Sequence, residues 1–165
     1  MSLYEQNPFP AVDADRHAIW QMLVERDITA FLAADWTLVA EDFIEDGFMG
    51  IHAHWSPNPD AWRMAYDLAG YRTEWLRQAE ETQRTAYKGD LRAGIFMATV
   101  LRDIDINGDL ALVHKKFDGL LERADGTPEP MSWQTLYSCR KVGGRWRIAG
   151  FTGYMPNPIS GSRGR

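Results

Sequence analysis

The apolar positions of this chain change period partway along, from a helical spacing in the first half to an alternation of two in the second. Trp20, Leu23, Val24, Ile28, Phe31 and Leu32 recur every three or four residues, which predicts an amphipathic helix over residues 14–33. Asp13 or Asp15 is placed to cap it by accepting from its first free backbone N–H groups. The twelve residues before it carry two prolines and no period, and read as an irregular arm. A second, shorter helix is expected over residues 35–42, with Trp36, Val39 and Phe43 directed inward. Residues 43–55 then read as two short strands about a turn near Gly47 to Gly50. Pro57-Asn58-Pro59-Asp60 is a break, because proline fixes φ and Asp60 can cap the next helix. From there the spacing predicts one long helix to about Tyr87.

Beyond Leu91 the alternation predicts four long strands: 91–106, 110–123, 131–142 and 145–155. Asn107-Gly108-Asp109, residues 124–128 and Gly143-Gly144 supply the turns between them. Helices followed by an antiparallel meander define an α+β fold in which a curved sheet wraps the helices, burying both apolar faces. Residues 13–156 form one domain, and the glycine- and serine-rich residues 157–165 read as a flexible tail.

Composition narrows the functional classes. A length of 165 residues fits one domain. Eighteen basic against 23 acidic residues, a net charge of −5 with no basic block, argue against nucleic acid as a partner. No apolar run approaches the ~20 residues that span a bilayer, so the chain is expected to be soluble and cytoplasmic. Cys139, alone of its kind and inside an apolar strand, reads as a buried structural thiol. The seven tryptophans stand out, since large rings with polar edges suit either tight packing or the wall of a small-molecule pocket. Trp20, Phe31, Trp36, Trp133 and Trp146 are the rings expected at such a wall, with His52 at its mouth.

The polar residues in apolar surroundings carry the candidate chemistry. Asp27 lies one helical turn after Leu23 and one before Phe31, on the stripe that faces the core. Burial raises a carboxylate's pKa unless a cation pairs with it, and a raised value suits a general acid or base. The alternative is a structural ion pair with Arg26, Arg72 or Arg102, or a side chain turned to the stripe's edge. His114 shares a strand face with Leu110 and Leu112, whereas Lys115 shares the other with Val113 and Phe117; the strand alone does not say which face is concave. Pointing inward, His114 exchanges a proton with Asp27 or with a substrate near neutral pH. Tyr137 shares a face with Trp133, Thr135 and Cys139 and can donate to a substrate oxygen. His52 and His54 have chelate spacing, but no further Cys or His cluster completes a site, so no metal and no cofactor is expected.

Ala33-Ala34-Asp35-Trp36 with Ala40-Glu41-Asp42-Phe43, and the run Arg140-Lys141-Val142-Gly143-Gly144-Arg145-Trp146-Arg147-Ile148-Ala149-Gly150, resemble two segments of the nuclear transport factor 2-like superfamily. That superfamily includes ketosteroid isomerase-like, scytalone dehydratase-like and SnoaL-like proteins. The resemblance implies a cystatin-like conical barrel with a deep pocket between helices and sheet, often in a homodimer. It also places Asp27 where the isomerase-like proteins hold an oxyanion-binding tyrosine. Departures are clear. The isomerase-like base falls near Gly47, with Asp46 only adjacent, and the dehydratase-like tyrosine and aspartate fall on Phe31 and Leu32. The expectation is a small-molecule-binding protein, acting as a cofactor-independent lyase or isomerase on a small oxygenated apolar substrate, with Asp27, His114 and Tyr137 as its chemistry; the alternative is a non-catalytic binding or interaction module.

Overall fold

The computed structural model describes residues 3–62 and 64–161, with Met64 described by its backbone alone. The opening helix spans the expected length in three parts: α1 (Ala14–Trp20), a π-helical stretch (Gln21–Arg26) and α2 (Asp27–Ala33). Asp13 is the cap, its side chain accepting from Arg16 N. Ala34, in the left-handed region at φ 50°, ends it. The irregular arm holds one 3-10 turn, Leu3–Glu5, and is tied down by Asn7 Nδ2 donating to the His17 carbonyl at 2.9 Å. The expected second helix is two 3-10 turns, Trp36–Leu38 and Ala40–Asp42.

The segment 43–67 departs from expectation. Between residues 43 and 55 one strand forms instead of two, β1 (Met49–His52), while Phe43 makes an isolated bridge to Ile148. The long helix expected from Asp60 is divided into a 3-10 turn (Pro59–Ala61), β2 (Met64–Tyr66) and α3 (Leu68–Arg84). Two caps cause the division: Asn58 accepts from Asp60 N at 3.1 Å and Asp67 from Gly70 N at 2.8 Å, and β2 pairs with β1 between them.

The expected strand 91–106 is half helix. Asp90 accepts from Ala93 N and starts α4 (Leu91–Ala98), which gives way to β3 (Thr99–Asn107). Leu91, Ala93, Ile95 and Met97 mimic alternation, yet the buried side chains are Ile95, Phe96 and Ala98. The next expected strand is also divided, into β4 (Leu110–Phe117) and β5 (Gly119–Glu122). β5 pairs with β6 (Pro128–Met131) in a separate hairpin packed on α4, where Gly119 comes so close that a Cβ would lie 2.5 Å from Ala98 Cβ. β7 (Trp133–Val142) and β8 (Arg145–Pro156) complete the chain's strands, joined at Gly143-Gly144 with both φ angles positive, as a tight hairpin requires.

The main sheet has six strands in the order β2-β1-β8-β7-β4-β3, antiparallel except for β1 against β8. It is open rather than closed into a barrel. Its concave face packs on the opening helix, so the architecture is α+β with a curved, mostly antiparallel sheet. Residues 157–161 of the expected tail are folded back, with Asn157 Nδ2 donating to the Phe117 carbonyl at 3.0 Å; residues 162–165 lie outside the described residues.

Candidate functional site

Between α2, α3, the concave sheet and the β5–β6 hairpin lies a cavity of about 370 Å³. Alternation along β4 decides what reaches it. Ala111, Val113 and Lys115 are buried on the concave side, and Leu110, Leu112 and His114 stand on the convex side. The expected partnership of Asp27 with His114 is therefore overturned: the sheet separates them, and the imidazole Nε2 instead lies 2.7 Å from Gln134 Oε1 on the neighbouring strand. One residue along the strand, Lys115 takes its place.

Lys115 is 1 % exposed, and its ammonium is satisfied on three sides. It donates to the Leu23 carbonyl at 2.5 Å and to Asp27 Oδ2 at 2.9 Å, and it lies 5.1 Å from the centre of the Phe117 ring. Asp27 projects from the first turn of α2 into the cavity wall with its side chain 31 % exposed, and its Oδ1 accepts from Trp75 Nε1 at 3.3 Å. The cation that compensates Asp27 is thus none of Arg26, Arg72 and Arg102. The signal for Lys115 was present in the sequence: a lysine in phase with Ala111 and Val113 on the face that has to be buried.

Tyr137 lines the cavity, and burial, then the Asp27 charge, hold its phenol well above the usual range, so it is a neutral donor at neutral pH. Tyr154 also lines the cavity; burial raises its hydroxyl too, and it donates to Gln78 Oε1 at 3.3 Å. Phe31, Trp55, Trp75, Phe117, Trp133 and Phe151 supply the apolar walls. At the rim, Arg77 pairs with Glu74 and Glu81, and Arg123 with Glu129, which also accepts from Tyr87.

Of the rings expected at the wall, Phe31 and Trp133 are there and the others are not. Trp20 is buried in the core. Trp36 stacks on Phe43 at 4.9 Å and meets Trp75 edge-on at 5.3 Å. Trp146 is buried at the other end of the sheet, where its Nε1 and Lys141 Nζ both donate to Asp15 Oδ1. His52 stands behind the wall, stacked on Tyr154 with centroids 4.0 Å apart and planes 8° from parallel. Burial, then the neighbouring His54, pushes the His52 pKa down to about 4, and its Nδ1 accepts from His54 N at 2.9 Å. Among the described residues no three His, Cys, Asp or Glu side chains form a group that could hold a metal. Cys139 is buried in β7, and burial pushes its thiol up to about 12, which leaves it inert.

Among the described residues, three of the four non-glycine residues with positive φ meet at one corner of the cavity: His54 (52°), Trp55 (56°) and Tyr154 (57°). Each such residue costs about 1–3 kcal/mol. On β8 the cause is a bulge, since Gln134 pairs with Met155 and Leu136 with Thr152, leaving two β8 residues opposite Thr135. Trp55 N donates to the Tyr154 carbonyl at 2.7 Å, which locks the bend after β1 to that bulge.

An open, mostly antiparallel sheet curved around an opening helix, with one cavity wall built from the helix and the last strands, is the nuclear transport factor 2-like fold. Solved structures with that fold superpose on most of the chain. A nuclear transport factor 2-like protein of unknown function from Pseudomonas putida KT2440 is 16 % identical, with 88 % of this chain and 87 % of that one covered and a TM-score of 0.55. One from Shewanella baltica OS155 is 14 % identical, covering 88 % and 95 %, with a TM-score of 0.54. A third, with a cystatin-like fold, from Novosphingobium aromaticivorans is 13 % identical, covering 86 % and 82 %, with a TM-score of 0.52. No family model and no curated protein matches the chain.

Proposed function

We propose that this chain binds a small, largely apolar, oxygen-bearing molecule in the cavity and moves a proton on it without a cofactor, as an isomerase or lyase. The observation that carries this reading is a carboxylate held in an aromatic-walled cavity beside a neutral phenol. Each Asp27 oxygen accepts one hydrogen bond from the protein, and a carboxylate oxygen has room for two, so the group retains acceptor capacity toward a ligand. With a ketone bound, Asp27 takes a proton from the carbon next to the carbonyl. The C–H electron pair becomes the enolate double bond, and the negative oxygen accepts from the Tyr137 hydroxyl. In a β,γ-unsaturated ketone, return of the proton from Asp27 to the γ carbon of the dienolate completes an isomerisation; in a β-hydroxy ketone, the enolate expels the hydroxyl, which leaves as water with the proton that Asp27 holds, and completes a dehydration. His114 has no part in it.

The test is deuterium exchange at the carbon beside the carbonyl of 1-tetralone in heavy water, followed by NMR. Catalysed exchange is expected with the native chain, falling about 100-fold in Asp27→Asn. Exchange no faster than in buffer, or unchanged by Asp27→Asn, rejects the chemistry; calorimetric binding of the ketone without exchange leaves the non-catalytic container, which the pairing of Asp27 with Lys115 also suits.

For the convex face the partner we propose is a second copy of the chain. Leu110, Leu112 and Leu136 are exposed there between Asp103 and Asp105 on β3 and the cross-strand pair Arg140 and Arg147 on β7 and β8. A two-fold axis sets acidic stripe on basic pair and apolar strip on apolar strip. Sedimentation is expected to show a dimer for the native chain and a monomer for Leu112→Asp; a native monomer at micromolar concentration rejects the assignment.

A further inference from the structure

We propose that Trp55 is the specificity-determining residue of the cavity, a clamp that favours planar, uncharged ring systems over saturated ones, and that His52 is its positioning residue. The inference rests on the cavity being a ligand site. Trp55 is 49 % exposed while it lines the cavity, so its indole is held at the opening and not consumed by the core. It meets Trp133 at 6.5 Å, Tyr154 at 5.4 Å and His52 at 5.5 Å, each steeply tilted to the indole plane and none stacked parallel on it. The corner that carries it is built against backbone preference. Left-handed His54 and Trp55 lie against left-handed Tyr154, and the hydrogen bonds from Ala53 N to the Gly153 carbonyl and from Trp55 N to the Tyr154 carbonyl hold the two bends together. A Cβ on Gly153 would lie 2.9 Å from Thr135 Oγ1, so the bulge that turns Tyr154 inward needs glycine there.

Behind this corner stands a column of rings. His54 stacks on His52 at 4.2 Å and His52 on Tyr154 at 4.0 Å, while His52 also meets Trp55 edge-on at 5.5 Å. His52 Nδ1 accepts the His54 amide, so one buried, uncharged imidazole fixes the backbone of the turn and the rings on both sides of it. The ligand class is set by charge as well as shape. The cationic and anionic groups of the lining are paired with one another: Asp27 with Lys115, Arg77 with Glu81, Arg123 with Glu129. An ionised ligand would lose its hydration without gaining an unpaired counter-charge, whereas a flat neutral ring gains face and edge contacts that a puckered ring of the same size does not.

Calorimetric titration with 2-naphthol and with its saturated counterpart decahydro-2-naphthol separates the possibilities. The native chain is expected to prefer 2-naphthol by about tenfold, the size of an aromatic pair contribution. Trp55→Ala is expected to lose that preference, weakening 2-naphthol by more than the saturated alcohol, while melting at the native temperature. Trp55→Phe keeps part of the preference, and His52→Leu loses it with Trp55 in place, a change in ratio that mere loss of folded protein does not produce. Retention of the preference in Trp55→Ala overturns the clamp and leaves the cavity reading intact; retention in His52→Leu overturns the positioning role alone. Binding of neither alcohol to the native chain overturns the cavity reading and the clamp with it.

Discussion

Lys115→Met is expected to lower the stability of the chain by about 3 kcal/mol, because it leaves the Asp27 carboxylate facing an apolar wall with only the Trp75 indole as donor. The methionine matches the lysine stem in length, so packing is largely kept and the loss reports the charge. Solvent in the cavity reaches Asp27, whose side chain is 31 % exposed, which sets the cost at the lower end of the range for a broken buried pair. For a chain of this length the melting temperature should fall by roughly 6–12 °C. Removing both charges, Lys115→Met with Asp27→Leu, should restore most of it, since an apolar pair of similar volume replaces an ion pair at little net cost. Thermal unfolding of the two variants is the measurement, and a single variant melting within about 2 °C of native would show that Lys115 does not hold the carboxylate.

A larger loss is expected at Asp42, held by Arg26, the residue that precedes Asp27 in the opening helix. Asp42 is 1 % exposed and accepts from Arg26 Nε at 2.6 Å, Arg26 Nη2 at 2.8 Å and Arg145 Nη2 at 2.8 Å, joining the π-helical stretch, the Ala40–Asp42 turn and β8. The two arginines are partly exposed, and Arg145 also pairs with Glu41. Their removal and that of Asp42 are therefore unequal. Arg26→Met with Arg145→Met strands a buried charge and should cost about 4–5 kcal/mol, whereas Asp42→Leu frees two guanidinium groups that can turn to water and should cost about 2 kcal/mol. Denaturant unfolding of both variants checks the order; equal losses would mean that Asp42 is reached by water in solution.

Much of the fold was legible in the sequence because it is local. Trp20 to Leu32 mark the opening helix by spacing, Asp13 starts it by hydrogen-bonding chemistry, and Gly143-Gly144 close the last hairpin because few residues other than glycine take two positive φ angles at little cost. The failures share a cause. Over residues 91–98 the apolar residues fit either period, and the choice fell to the Asp90 cap and to close packing of α4 on Gly119. Between residues 60 and 87 the helical pattern was real only after Asp67, because β1 needed β2 as an edge partner.

The candidate site divides in the same way. That Asp27 faces inward was set by its phase between Leu23 and Phe31, and that Tyr137 shares a face with Trp133 was set by alternation. Which face of β4 is concave depends on curvature and on the helices packed behind the sheet, so the choice between His114 and Lys115 lay beyond any single strand. Likewise, which rings pack and which line a cavity is a matter of how six strands and a hairpin close around a space, and the strained corner at Trp55 exists because β1 and β8 lie side by side. Sequence periodicity determined which side chains leave water, since burial on a helix or strand is governed by spacing. Only the tertiary structure decided what those side chains meet, since an ion pair between residues 27 and 115 has an energy that depends on a distance set by everything between them.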